Sequence, residues 1–399
     1  MTAEFQTVSL SEITTLVTKG TTPTTLGYSF TDSGVNFIKA ESVALDGQID
    51  ESVFAHIDEA THKKLKRSQI EEGDILFSIA VMKLGKSALV KSRHVPANTN
   101  QAVAIIRADR SKALPEFLHY HFLNPDHYRY VNAITAQAAQ PNINLGQVGN
   151  LPISLPPLPV QRRIAGILSA YDELIENSQR RIRLLEKMAR ALYREWFVHF
   201  RFPGHEKIPR VASPLGEIPR GWEVKLAKDI LSRRAAGKVY RDEDVNPEGA
   251  IPVLDQSTNE LLGFHDSEPD HLASPTMPMA IFGDHTCKIQ LLIEPFSVGP
   301  NVVPFAAGPE LPTAYVFYVV NSLVQTQEYK RHWIPLNAKE IIVADRVVAQ
   351  RFASLIQPML VEQEALRKAI RNLRRTRDLL LPRLLSGGLA PRTLTPSAL

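Results

Sequence analysis

The stretch QRRIAGILSAYDELIENSQRRIRLLEKMARALYREW, residues 161–196, decides the fold. Its apolar positions Ile164, Leu168, Tyr171, Ile175, Ile182, Leu185, Ala189, Leu192 and Trp196, with Ser178 filling one step, alternate spacings of four and three. That rhythm draws one stripe along a single helix face, the seam by which one helix packs on another. A second stripe with the same steps runs Phe352, Ile356, Met359, Gln363, Leu366, Ile370, Leu373, Arg377, Leu380, Leu384, at a constant shift of 188 residues. Each helix reaches on the order of 50 Å at about 1.5 Å per residue, so it serves as a spacer as well as a packing element. Pro203 and Pro382 lie at or near the ends. Two stripes of matched length in one chain are most simply satisfied by each other, as an antiparallel pair. Docking of each helix on a separate core is the alternative.

The segments outside the stripes also repeat. Val8-Ser9-Leu10 matches Val224-Lys225-Leu226 at a shift of 216, and Gly85-Lys86 matches Cys287-Lys288 at 202. The run Pro115 to Tyr120 matches Pro312 to Phe317 at 197, and Val160-Gln161-Arg162 matches Ala349-Gln350-Arg351 at 189. Deletions in the second copy's loops give such a steady fall, whereas chance matches would scatter in both directions. In the first copy Val35 to Lys39, Asp74 to Ile79, Ser87 to Lys91 and Gln101 to Arg107 have strand character, and Pro115 to Phe122 begins as helices often do, with proline. The second copy repeats this with Ile251 to Leu254, Met279 to Phe282, Lys288 to Ile293 and Pro312 to Ser322. Between the first long helix and the second copy, Phe202 to Gly221 holds Pro203, Pro209, Pro214 and Pro219. It reads as an extended connector, too dense in proline for a helix or a central strand.

With 399 residues, 44% hydrophobic and 22% charged, the chain is long enough for two or three domains with real cores. Its single cysteine, Cys287, excludes an internal disulfide framework and a multi-cysteine metal site, and fits a reducing cytoplasm. Met1 to Leu10 shows no signal-peptide pattern, and no apolar run reaches the roughly 18 residues of a membrane span, so a soluble, non-exported protein is expected. The net charge of +4 is mild but uneven: residues 161–196 carry +3 and residues 352–386 carry +4, leaving −3 elsewhere. Any nucleic-acid contact by the globular parts must therefore run through local patches.

Catalytic signatures are weak. Ala80 to Ser87 satisfies a loose phosphate-loop pattern, but it has one glycine, and Ser87 to Lys91 looks like a strand rather than the helix whose N-terminus would face the anion. A strand-turn-strand is expected there. No Asn-Pro-Pro-Tyr or Asp-Pro-Pro-Tyr run marks a methyltransferase, and neither Asp74 nor Asp284 is followed by the Glu-x-Lys of a nuclease. His119, His121 and His127 lack metal-ligand spacing and read as surface or half-buried histidines. What remains is a set of loops whose side chains suit base edges and phosphates: Lys83, Lys86, Asn98, Asn100, Gln101, Gln137, Gln140, Asn142 and Asn144 in the first copy, and Gln256, Ser257, Thr258, His285, Thr286, Lys288 and Asn301 in the second. Ordinary turn chemistry favours many of the same residue types.

Several runs together resemble the specificity subunit of Type I restriction-modification systems. They are Gly73-Asp-Ile-Leu-Phe-Ser78 leading to Gly85-Lys86-Ser-Ala-Leu-Val90, then Gln140-Pro-Asn-Ile-Asn144, then Leu155-Pro-Pro-Leu-Pro-Val-Gln-Arg-Arg-Ile-Ala165, then Ser213-Pro-Leu-Gly-Glu-Ile-Pro-Arg-Gly-Trp222 and Phe282-Gly-Asp-His-Thr-Cys-Lys288. The departure is at the distal helix, which follows Val343-Ala-Asp-Arg-Val347 without a second Leu-Pro-Pro-Leu. The resemblance implies an α+β chain with two tandem pseudo-repeated α/β target recognition domains separated by two long helices in an intramolecular antiparallel coiled coil. Its expected parts are recognition domain 1 at 1–158, a central helix at 159–200, the connector at 201–221, recognition domain 2 at 222–347, a distal helix at 348–388 and a flexible tail at 389–399. It further implies a cytoplasmic, non-catalytic subunit reading a bipartite, asymmetric site in double-stranded DNA, one half-site per domain. Two modification (methyltransferase) subunits would dock on its helices and motor-nuclease restriction subunits would complete the assembly, with S-adenosylmethionine, ATP and Mg on those partners and no cofactor or metal on this chain. The alternative is a coiled-coil scaffold that binds protein partners without DNA.

Overall fold

The computed structural model describes residues 5–80, 84–135, 142–257, 261–321, 323–325 and 331–388. The chain is α+β and divides into two compact units, residues 1–175 with 371–399 and residues 176–370.

In the first unit an antiparallel sheet has the order β2 (Thr14–Lys19), β9 (Val103–Ala108), β6 (Ile75–Ser78), β7 (Ser87–Leu89). A second sheet has the order β4 (Ala55–Ile57), β3 (Val35–Ile38), β8 (Ala97–Thr99), β5 (Gln69–Ile70), with β3 and β8 parallel and the short helix α1 (Glu59–Lys64) between β4 and β5. β1 (Gln6–Ser9) pairs antiparallel with β10 (Pro152–Leu155). The apolar run in β6 has no polar alternation because both of its faces are covered. Ile75 and Phe77 enter one core with Phe117 and Phe122 of helix α2 (Pro115–Leu123), while Leu76 enters another with Ile38, Val90 and Ile105. Helices α3 (Pro125–Thr135) and α4 (Leu145–Gly149) follow α2.

The second unit repeats the plan. Its main sheet runs β14 (Leu231–Arg233), β20 (Val302–Ala307), β17 (Met279–Gly283), β18 (Ile289–Leu292). The other sheet runs β16 (Leu261–His265), β15 (Ile251–Leu254), β19 (Ser297–Val298), with β15 and β19 parallel as β3 and β8 are. β13 (Glu223–Leu226) pairs with β21 (Glu340–Val343), helix α6 (Thr313–Val320) stands where α2 stood, and α7 (Trp333–Asn337) where α4 stood. Ala280 and Phe282 point into one core and Ile281 into the other, as on β6.

Hydrogen bonds place the two copies in register. Ser9 N donates to Glu12 Oε1 and Leu226 N to Asp229 Oδ2, closing matched turns at a shift of 217. The letter match of Val8 with Val224 is thus one residue short of the structural one. The shift of 202 at Gly85-Lys86 is the structural shift: Gly85 and Cys287 both have positive φ, at 77° and 56°, and Ser78 N and Gly283 N donate to the carbonyls of Lys86 and Lys288, each at 2.8 Å. The two strands expected on either side of that turn are therefore present, β6 and β7 pairing antiparallel, while residues 81–83 between them lie outside the described residues.

The long helices are α5 (Leu158–Tyr193), which ends in a π-helical turn at Arg194–Val198, and α8 (Arg346–Leu385). No stripe residue is exposed. In the first unit Ile164 and Leu168 share a core with Leu381 and Leu384, and Asp172 meets Arg377. In the second, Trp196 lies against Phe352, and Arg181 meets Glu362. Advancing along α5 meets retreating positions on α8 in each unit, so the pairing is antiparallel. The missing Leu-Pro-Pro-Leu before α8 is replaced locally: Tyr315 Oη accepts from Ala344 N at 2.9 Å, and Asp345 Oδ1 from Val347 N at 2.8 Å, satisfying amides at the helix start. The connector is not simply extended. β11 (Arg210–Ser213) and β12 (Gly216–Pro219) form a two-stranded hairpin, in which Pro219 closes an edge and costs no central hydrogen bond.

Candidate nucleic-acid interface

In the second unit, five of the residues singled out from the sequence converge. β17 ends at Gly283, where a Cβ would come within 2.4 Å of Thr286 Oγ1 and 2.8 Å of Gln256 Cβ, so the turn to β18 can close on the loop after β15 only with glycine there. Across that approach, His285 N donates to Gln256 Oε1 at 3.0 Å, Thr286 Oγ1 to Gln256 O at 2.9 Å, and Lys288 Nζ to Ser257 O at 3.1 Å. Asn301, exposed and with a φ of 59°, joins them through its carbonyl, which accepts from Asp284 N at 2.8 Å. Asp284 is buried beneath, its carboxylate accepting from the amides of His332 and Trp333 and so fixing the start of α7. Arg331, which sequence reasoning passed over, stands exposed with its guanidinium 3.9 Å from that carboxylate. Only its basic character before the apolar Trp333 signals it.

In the first unit the candidates separate. Gln101 is exposed and accepts from Thr22 Oγ1, next to Thr21 and the exposed Arg67, whose Nη2 donates to Thr21 Oγ1 at 3.3 Å. Gly20 makes this edge possible, since a Cβ there would lie 2.1 Å from Thr99 O. Asn100 folds its Oδ1 onto Ala102 N, a turn bond. Asn142 is exposed, and Asn144 caps α4 through Gln147. Asn98 is a correction: it is wholly buried, its Nδ2 donating to Leu65 O at 3.1 Å and Ser68 Oγ at 3.0 Å, so it holds the second sheet together and presents nothing to a groove. Lys86 is half-buried, its Nζ donating to Ala40 O at 2.9 Å and Val43 O at 2.6 Å. Lys83, Gln137, Gln140 and Thr258 lie outside the described residues.

The three histidines are also corrected. His119, His121 and His127 are all buried rather than surface or half-buried. Burial disfavours the charged imidazole, lowering His119 and His121 to about 4 and His127 to about 3. The rings of His121 and His127 stand 5.1 Å apart beside Phe122.

Comparisons with known proteins follow the same lines. A family model described as the Type I restriction modification DNA specificity domain matches residues 2–187. The Type I restriction enzyme MjaIX specificity subunit of Methanocaldococcus jannaschii is 26% identical over 330 residues, covering 77% of this chain and 75% of that protein. The putative MjaX specificity subunit of the same organism is 25% identical over 313 residues, with 74% and 71% covered. A crystal structure of a Type-I restriction-modification system S subunit from M. genitalium shares the fold, with a TM-score of 0.61 at 13% identity and 96% of each chain covered. No helix among the described residues is long and apolar enough to cross a membrane. With a specificity domain matched over residues 2–187 and specificity subunits about a quarter identical along some three quarters of its length, the chain is similar to the specificity subunits of Type I restriction-modification systems.

Proposed function

We propose that each unit reads one half of a bipartite site in double-stranded DNA, and that the chain does no chemistry itself. The observation that carries this reading is the pairing of one architecture with two chemistries: both units repeat the same main-sheet order, but one offers Gln101, Thr22 and Arg67 at the edge beyond β2 and β8, and the other offers Gln256, Ser257, Thr286 and Asn301 around the β17–β18 turn. Amide side chains suit adenine edges, and guanidinium and hydroxyl groups suit guanine and phosphates. Two such different surfaces would read two different short sequences. The long helices would carry two modification subunits, with S-adenosylmethionine on those partners, and motor-nuclease subunits would bring ATP and Mg.

The test is methylation mapping in cells that carry the system. Exchanging residues 1–150 for the corresponding region of another specificity subunit is expected to change one half-site and leave the other intact. If both halves change, the assignment of one half-site per unit is wrong. If the complex shows no sequence-selective binding to duplex DNA that weakens with salt, the chain is a protein-binding scaffold instead.

A further inference from the structure

Among the described residues, Lys86 and Lys288 are the pair of candidate contacts that the duplication superposes, and both donate to main-chain carbonyls. Each follows a residue with positive φ, Gly85 or Cys287, at the start of the strand that leaves the turn. Each sends its ammonium back to main-chain carbonyls of the segment after the first strand of the other sheet. Lys86 reaches Ala40 O and Val43 O, beyond β3, and Lys288 reaches Ser257 O, beyond β15. β3 and β15 are counterparts, each antiparallel to one neighbour and parallel to another. Both lysines are half-buried. A compact cation with three donors on a flexible four-carbon stem suits the two carbonyls that Lys86 reaches and the one that Lys288 reaches, whereas a broad planar guanidinium does not replace it.

From this geometry we infer that Lys86 and Lys288 are positioning residues, each clamping the segment after the first strand of its unit's second sheet onto the adjacent turn and so setting the surface its unit presents, and that neither acts as a phosphate contact. The inference rests on the DNA-reading function proposed above. It names what sets each loop: in the second unit the clamp joins Gln256 and Ser257 to His285 and Thr286, so four exposed or half-exposed polar groups move as one body. A clamp acts on selectivity, because a loosened loop accepts more sequences. A phosphate contact acts on affinity and on its salt dependence, nearly uniformly over sequences.

The experiment uses the full chain assembled with its modification subunits, and duplexes carrying the mapped site or single base-pair changes in either half. Binding is followed by fluorescence anisotropy across a salt series, and hydrogen exchange is measured on the same proteins without DNA. Lys288→Met is expected to speed amide exchange around 254–257, to lower discrimination in the second half-site by about tenfold, the worth of one base-pair reading, and to leave the salt slope and the first half-site unchanged. Lys86→Met is expected to do the converse. Lys288→Arg, which keeps the charge and guards against a variant that fails to fold, is expected to keep the slope and still lose selectivity. A slope reduced by about one in Lys288→Met, with unchanged exchange and full selectivity in Lys288→Arg, would overturn the inference and make Lys288 a phosphate contact. A wild-type complex without sequence selectivity would overturn the proposed function instead, and the exchange measurement would still judge the clamp.

Discussion

Replacing Arg377 by alanine should cost the first unit far more than breaking an exposed ion pair on the same helices. Its side chain is 10% exposed, that of Asp172 14%, and Nη1 stands 2.6 Å from Asp172 Oδ1. The carboxylate's other oxygen accepts from Tyr120 Oη, also at 2.6 Å, which ties α2 to both long helices. Removing the guanidinium leaves a buried carboxylate with one hydroxyl partner. Such a loss costs about 3–5 kcal/mol, or roughly 6–20 °C in melting temperature for a unit of about 200 residues. Arg181 supplies the control, since it pairs with Glu362 across the same two helices with side chains 55% and 44% exposed. Arg181→Ala should cost at most about 1 kcal/mol. The duplication also supplies a rescue. The counterparts of Tyr120, Asp172 and Arg377 at shifts of 197, 188 and 188 are Phe317, Leu360 and Ala189, an all-apolar layer in the second unit's core. Combining Tyr120→Phe, Asp172→Leu and Arg377→Ala should therefore recover most of the loss. Thermal unfolding of the four proteins by circular dichroism decides it. Equal melting of Arg377→Ala and Arg181→Ala, or a triple variant no better than the single one, would refute the reasoning.

The buried histidines set an acid limb. Because their folded pKa values are depressed below the ordinary 6.5, the unfolded chain takes up protons first, and stability present above about pH 6.5 is lost as pH falls toward 4 for His119 and His121 and toward 3 for His127. His121→Phe should reduce the slope of stability against pH in that window by about 1.4 kcal/mol per unit, and parallel slopes in denaturant titrations would count against it. Asn98→Ala should destabilise by roughly 1–3 kcal/mol through the hydrogen bonds it leaves open, with the salt slope of DNA binding unchanged. A weakened DNA complex at unchanged stability would return Asn98 to the interface.

The stripes were legible because a seam repeats a rule over ten positions, so single exceptions do not hide it. Ser178, Gln363 and Arg377 interrupt the apolar pattern, yet all three lie on the paired face and none is exposed. What letters could not show is that Arg377 belongs there by virtue of Asp172, 205 residues earlier, and Tyr120 on another helix. The duplication was legible for a similar reason, since the falling shift is a property of the whole chain. It failed by one residue at β13, where an identical valine drew the match to Val224 but the turn bonds of Glu12 and Asp229 set it one further on.

The reading loops were legible only in part, because the residue types that turn a chain also read bases. Asn98, Asn100 and Gln101 are nearly consecutive and chemically alike, and they end in three situations. Strand alternation would send Asn98 and Asn100 to one face. β8, however, lies between β3 and β5 and is buried at all three positions, so Asn98 bonds inward, Asn100 closes a turn and only Gln101 is exposed. The lysines show the complementary failure. Their equivalence was visible as a shared Lys after a turn, but a lysine's role depends on where its ammonium lands, and those carbonyls lie 43 and 46 residues upstream in one unit and 31 in the other. Local pattern could therefore locate the loops of each unit, while the division of each loop into groups that hold it and groups that face outward is a property of tertiary contacts.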